Sequence, residues 1–285
     1  MTSSSNVMCA IVAVGLAMGA AVTASAKDYK KITIGTEGAY PPYNLTEPNG
    51  KLAGFETDLL ADLCPRMKVE CVQVQQDWGG TIPALNAGKF DAIMSGMKIT
   101  AKRLEVIAFS REYADSPQGL LVQASSPLAK LPGTGSVVNI TKDEAKADES
   151  IAAMREMLRG KTIAVQVATN KVDFLKKYFG DVAKIQEYNL SDQMDLDLMS
   201  GRVDAVFNEI PYFDKTMKKP GAKDLQLAGT QWRGGVLGAG VAVGLRKSDP
   251  ELKAMFDAAI EAATADGSLK RIADKWFSID VRPTL

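Results

Sequence analysis

The 285-residue chain contains no histidine at all and only three cysteines. Without histidine there is no Ser-His-Asp or Cys-His catalysis, and most zinc sites are excluded. Any chemistry must come from carboxylates, lysine or tyrosine. Net charge is lacking too: 34 basic residues face 34 acidic ones. That balance gives no support to a nucleic-acid or anionic-membrane surface. Apart from the amino-terminal stretch, no segment is long and apolar enough to cross a bilayer.

That stretch, MTSSSNVMCAIVAVGLAMGAAVTASA, is apolar and uncharged over 7–23 and ends in the small residues Ala24-Ser25-Ala26 before the charged KDYKK. It reads as a secretory signal peptide, 1–26, cut after Ala26, so that the chain is exported. A permanent anchor is the rival reading, but the apolar run is short for a span. Cys9 lies too early, in too poor a context, to be a lipid-attachment cysteine. About 260 residues remain, enough for one large or two modest domains. They hold Cys64 and Cys71, in LCPRMKVEC. In an exported chain an even, closely spaced pair reads as a disulfide. Metal binding is the alternative, which the missing histidines and the lack of a second cysteine pair disfavour.

Strand and helix patterns alternate. KITIGT at 31–36 is a short β-branched strand, and Phe55, Leu59, Leu63 and Met67 recur at helical spacing across 54–67. Strands follow at 69–74 and 90–94, with a short helix over 82–87 that stops at Gly88. The second half repeats the rhythm: strand 161–165, helix 170–179, strand 182–188, helix 191–200, strand 203–207. This βαβ order predicts largely parallel sheets covered by helices. The halves also share a phrase, LNAGKFDAI at 85–93 and LMSGRVDAV at 198–206. Each is a helix end, a glycine turn, a basic residue and an Asp-Ala entering a buried strand, so two lobes of similar construction are expected. Asp91 and Asp204 are expected to cap the turn rather than touch a ligand. The polar, Pro- and Gly-containing region 125–150 reads as a surface excursion or flexible loop. Apolar stripes at Leu252, Phe256, Ile260 and Ala263, and at Leu269, Ile272 and Trp276, mark two closing helices.

The most informative segment is DAIMSGMKITAKR, 91–103. A buried strand ends in Ser95-Gly96, and Thr100 caps a helix that carries Arg103 in its first turn. A cation there opposes the helix dipole, so an anion, most simply a ligand carboxylate, is expected beside it. Ligands of parallel α/β sheets bind beyond the carboxyl ends of the strands. Glu37 to Tyr43, Asp77-Trp78, Ser95 to Lys98, Gln166 to Asn170 and Glu209 all fall at such ends.

Together with GFETDLLADLCPRM at 54–67 and GVAVGLRKSDPELKAMFDAAI at 240–260, the segments IGTEGAYPPYN at 34–44 and DWGGTIPALNAGKFDAIMSGMKITAKR at 77–103 carry a resemblance. The chain resembles the periplasmic solute-binding proteins of polar amino-acid ABC importers, bacterial extracellular solute-binding family 3. Within it the lysine/arginine/ornithine-, histidine- and octopine/nopaline-binding proteins are nearest. The resemblance implies a two-lobed periplasmic binding protein fold (type II), α/β, with two doubly wound mixed sheets joined by a two-crossing hinge near 114–118 and 232–239. Lobe one would be 27–115 plus 238–285, and lobe two 116–237. It further implies an amino acid or opine as ligand, an inner-membrane ABC permease as partner, a monomer, no cofactor and no metal. The Cys64–Cys71 spacing also fits the disulfide of that family.

Carried over residue by residue, Arg103 would hold the α-carboxylate, assisted by Ser95, Gly96 and backbone N–H groups near Lys98 and Thr169-Asn170. Tyr40 and Trp78 would sandwich the side chain, Glu37 would meet its distal cation and Glu209 its α-nitrogen. The plainer alternatives are a solvated Arg103, a core Trp78 and surface carboxylates at Glu37 and Glu209. Tyr43 is expected to pack rather than bind. Three positions depart from the family: Lys98 and Asn170 stand where small hydroxyl residues are common, and Glu209 where Asp is. Lys98 either points to solvent or joins Arg103 to bind a ligand with two carboxylates, such as octopine. The competing classes are a cyclohexadienyl-type dehydratase on the same fold, for which no separate acid/base pair is evident, and a receptor's ligand-sensing domain, which requires a following membrane span.

Overall fold

The computed structural model describes residues 29–283; the expected signal peptide lies outside them. Two mixed sheets organise the chain. In the first, the strands run Glu70–Gln75, Lys31–Thr36, Ala92–Ile93, Val241–Leu245, Ala108–Ala114 across the sheet. The first three are parallel, and Val241–Leu245 is antiparallel to both its neighbours. In the second the order is Lys184–Tyr188, Thr162–Gln166, Ala205–Glu209, Gln118–Gln123, Leu225–Arg233, Val137–Asn139. Its first three strands are again parallel, and Gln118–Gln123 runs against Ala205–Glu209 and Leu225–Arg233. The chain passes between the sheets twice, from Ala114 to Gln118 and from Arg233 to Val241. A small antiparallel sheet of Ala39–Tyr40, Asn44–Thr46 and Leu52–Ala53 leans on the first.

The helical spacing at 54–67 buries what it predicts. Phe55, Leu59 and Leu63 are fully inaccessible in the helix Phe55–Met67, which packs against the closing helices Pro250–Ala265 and Ser268–Trp276. At roughly 1.5–3 kcal/mol for each fully buried large apolar side chain, this three-helix layer is a main anchor of the first sheet. Cys64 and Cys71 form a disulfide that ties this helix to the next strand, with Cα atoms 6.1 Å apart. The second sheet has its own core, in which Phe174 stacks on Phe207 at 5.0 Å and both meet Trp232.

The repeated phrase has a common structural meaning. Asp91 accepts from the Thr33 N–H and Asp204 from the Thr162 N–H, so in each sheet the aspartate entering one buried strand closes the start of its neighbour. Arg246 and Lys161 neutralise them.

Region 125–150 differs from the expected loop. It contains a short 3-10 turn, Pro127–Lys130, the edge strand Val137–Asn139, and the first half of a helix, Glu144–Leu158. That helix buries Ala147, Ile151, Met154 and Leu158, an i, i+4, i+7, i+11 stripe. The polar KDEAKADES covers only its outer face, and the stripe is legible once the window extends to 158. Among the described residues no helix is long and apolar enough to cross a membrane.

Candidate ligand-binding site

The carboxyl ends of the central parallel strands of both sheets point into one small, nearly closed cavity. Glu37, Tyr40, Trp78, Ser95, Gly96 and Arg103 line it from the first sheet, and Gln166, Thr169, Asn170 and Lys171 from the second.

The first-sheet wall is fixed by bonds between its loops. The Glu37 N–H donates to Ser95 Oγ at 2.9 Å, joining the loop after Lys31–Thr36 to the loop after Ala92–Ile93. Gly96 is left-handed (φ 61°), and a Cβ there would sit 3.0 Å from the Tyr40 ring, so glycine lets the aromatic wall close on the loop. The Gly96 N–H donates at 2.7 Å to Glu56, a carboxylate fully buried behind the wall and also bound by Asn44 and Tyr113. Burial raises the Glu56 pKa against these hydrogen bonds.

Arg103 sits on the single turn Ala101–Leu104, whose start is closed by its own N–H donating to Thr100 Oγ1 at 3.2 Å. Its guanidinium is inside the protein rather than solvated. It lies 5.1 Å over the Trp78 ring and donates to the Lys98 carbonyl at 2.9 Å and the Ala168 carbonyl at 3.5 Å. Burial pulls its pKa down to about 10, which leaves it charged at neutral pH. The half-buried Trp78 donates its indole N–H to the same Ala168 carbonyl at 3.2 Å. Ala168 is itself left-handed (φ 58°), a conformation that costs a non-glycine residue roughly 1–2 kcal/mol.

On the second-sheet wall, Gln166 donates to Glu37 at 2.7 Å. Burial pushes the Glu37 carboxyl up to about 7; the Gln166 hydrogen bond and Lys171 oppose that rise, and Asp77 and Asp192 add to it. Thr169 turns its hydroxyl back to the Gln166 carbonyl, and Asn170 donates to the Leu237 carbonyl on the second passage between the sheets. Lys171 places its Nζ 5.2 Å from the Tyr40 ring centre, 3.3 Å from the Tyr40 hydroxyl and 4.0 Å from Glu209. Tyr40 donates in turn to Asn208 at 2.7 Å. Among the described residues no group of three or more His, Cys, Asp or Glu side chains is arranged to hold a metal ion.

One cavity thus gathers a buried arginine stacked on an indole, a carboxyl group whose pKa is raised to about 7, and the rings of Tyr40 and Trp78. The family model of the bacterial extracellular solute-binding proteins, family 3, matches residues 32–279. The chain belongs to that family. The octopine-binding periplasmic protein of Rhizobium meliloti is 41% identical to it over 98% of both chains. The L-arginine-binding protein of Pseudomonas aeruginosa is 34% identical over 88% of this chain and 90% of its own. Among solved structures, an ancestral arginine-binding protein bound to arginine superposes with a TM-score of 0.73 at 27% identity, covering 87% of this chain and 99% of that one. A His/Glu/Gln/Arg/opine family-binding protein from Silicibacter pomeroyi, in complex with lysine, gives 0.70 at 30%, covering 89% and 100%. These relatives are named as binding proteins and not as enzymes, and the type II binding-protein fold and solute-binding role expected from the sequence hold for this family-3 protein.

Of the ten candidate residues, eight line the cavity; Lys98 and Glu209 do not. Lys98 neither reaches solvent nor enters the cleft, correcting both expectations for its side chain. Only 2% exposed, it donates to Asp115 at 2.7 Å and to the Ser116 carbonyl at 3.0 Å, on the first passage between the sheets. Asp115 also binds Arg233 at 3.0 Å, where the second passage begins. The ammonium is therefore consumed by an internal ion pair, while the Lys98 carbonyl holds Arg103. Glu209 is equally engaged, accepting from Ser116 at 2.6 Å and from Tyr43 at 3.1 Å behind the cavity wall. Tyr43 packs there fully buried, as expected.

Two cavity residues are absent from the ten, Gln166 and Lys171. Lys171 had a signal of the kind that singled out Arg103. It occupies the first turn of the helix Asn170–Phe179, where a cation opposes the dipole.

Proposed function

We propose that the protein is the periplasmic capture component of an ABC importer. It would bind a basic amino acid or an opine between lobe one, 27–115 plus 238–285, and lobe two, 116–237, and close over it by bending at 114–118 and 232–239. The observation that carries this reading is the pairing, in one cavity, of the Arg103 guanidinium stacked on Trp78 with the Glu37 carboxylate on a neighbouring loop. A ligand carboxylate suits the first, through a bidentate charge-assisted pair. A distal ammonium or guanidinium suits the second, and the Tyr40 and Trp78 rings suit the chain between. Closure excludes water, which strengthens each contact, and presents the permease with a distinct shape. Export through the 1–26 leader, a monomeric carrier and an inner-membrane permease belong to the same proposal. The octopine- and arginine-binding names of the relatives support the ligand class.

Titration calorimetry with arginine, lysine, ornithine, histidine, glutamine and octopine tests it. At least one basic ligand should bind with micromolar or tighter affinity, and Arg103→Ala should abolish the heat. Binding of none of them, or full binding by Arg103→Ala, refutes the reading.

A further inference from the structure

We propose that Lys171 is the specificity-determining residue of this cavity and that it receives a second ligand carboxylate. The preferred ligand is then a basic amino acid whose α-nitrogen bears a carboxyalkyl group, the chemistry of octopine. The inference rests on the cavity being the ligand site.

Two buried cations converge on the cavity, Arg103 at 8% exposure and Lys171 at 4%. A buried charge is tolerated only when it is paired. Among the described residues no carboxylate lies within ion-pair distance of Arg103, whose hydrogen bonds go to carbonyls. Lys171 has one carboxylate, Glu209, at 4.0 Å, beyond hydrogen-bonding distance. That carboxylate is already shared with Ser116 and Tyr43. An ammonium has three donors. The Tyr40 hydroxyl takes one at 3.3 Å, which leaves donors for an acceptor in the cavity. The amino-terminal N–H groups and dipole of the helix Asn170–Phe179 add to the positive potential on the same side.

A plain amino acid fits this arrangement poorly. Its α-ammonium would enter a cavity that already holds the Lys171 ammonium, whose carboxylate partner Glu209 stands behind the wall at 4.0 Å. A carboxyalkyl group on the α-nitrogen supplies the missing anion and sets it against Lys171. The cavity and such an arginine derivative then match, Arg103 and Lys171 against two carboxylates, and Glu37 against the guanidinium. Burial pushes the Lys171 ammonium down to about 8; Glu209 and Glu37 hold it up, and Arg103 and Lys98 press it lower. An arriving carboxylate relieves that penalty.

The test is calorimetry at pH 7 with octopine, arginine and Nα-isopropylarginine, which is octopine with the added carboxylate replaced by methyl. In the wild-type protein octopine should bind roughly 10- to 100-fold more tightly than the isopropyl analogue, the range of one charge-assisted hydrogen-bonded contact. Lys171→Met should reduce the octopine-to-arginine affinity ratio by a similar factor, and Lys171→Arg should retain most of it. Equal binding of octopine and the isopropyl analogue by the wild-type protein overturns the proposal without recourse to any variant. So does a Lys171→Met ratio within threefold of wild type. If arginine binds and octopine does not, the Lys171 assignment fails while the ligand-site reading stands. If neither binds, it is the ligand-site reading that has failed.

Discussion

Glu37 should make ligand binding pH-dependent near neutrality. Its carboxyl is only 7% exposed, and burial raises its pKa to about 7 despite the Gln166 hydrogen bond and the nearby Lys171. A raised carboxyl means that the folded protein holds more protons than the unfolded chain between roughly pH 4.5 and 7. The contribution of this group to stability therefore declines as pH rises through that window. A ligand guanidinium beside Glu37 acts the other way, because it holds the carboxylate ionised and expels its proton. From Glu37 alone, with its pKa near 7, arginine binding should release about 0.9 proton at pH 6, about 0.5 at pH 7 and about 0.1 at pH 8. The same linkage makes affinity roughly tenfold weaker at pH 6 than at pH 8. Calorimetry in two buffers of different ionisation enthalpy reads the protons directly, and the pH series reads the affinity. Glu37→Gln should flatten both profiles at a reduced affinity. Wild-type binding without proton release and with constant affinity from pH 6 to 8 would show that no ligand cation meets Glu37.

Arg103→Lys keeps the charge but loses the planar fork and the stack on Trp78, so the affinity for any ligand carboxylate should fall about 100-fold, read by calorimetry; a loss below threefold would remove Arg103 from the site. Asp115→Asn strips Lys98 and Arg233 of their shared carboxylate and should cost about 3–5 kcal/mol in urea unfolding, whereas Asp274→Asn, in the exposed pair with Lys270, should cost under about 0.5. Equal effects would contradict the burial argument. Reducing Cys64–Cys71, which closes a loop of 7 residues' separation, should lower stability by roughly 2–3 kcal/mol, measured by denaturation with and without reductant; no change would mean the unfolded chain gains nothing from opening it.

Most of the fold was legible because the core stripes are local. Phe55, Leu59 and Leu63, or the β-branched 31–36 run, declare their element without reference to anything distant. The phrase shared by 85–93 and 198–206 even announced the equivalence of the two halves, and Asp91 and Asp204 carry it out with the same bond. What escaped was decided across long separations. Helix Glu144–Leu158 was hidden because its outer face is charged and its buried stripe straddles the polar stretch. Lys98 was identified as unusual, but nothing near it in sequence shows that its partner is Asp115, since that contact depends on where the chain leaves the first sheet. Lys171 is different, because its signal is local. The dipole argument that exposes Arg103 applies to it equally, but it lies outside the positions that the family motifs name.

Lys98 and Lys171 divide two roles that the sequence assigns to one lysine. The Lys98 cation belongs to the passage between the sheets, and the second ligand carboxylate is proposed for Lys171. Lys98 remains coupled to the ligand side through its backbone, because its carbonyl holds Arg103 at 2.9 Å while its ammonium is fixed by Asp115 at 2.7 Å. Asp115 in turn holds Arg233, so one carboxylate joins both passages to the residue that orients the guanidinium. A displacement of either passage must therefore strain a buried ion pair or move Arg103. Asp115→Asn should accordingly weaken ligand binding as well as stability, although residue 115 does not line the cavity. Unchanged affinity in a folded Asp115→Asn protein would mean that Arg103 is positioned independently of Asp115.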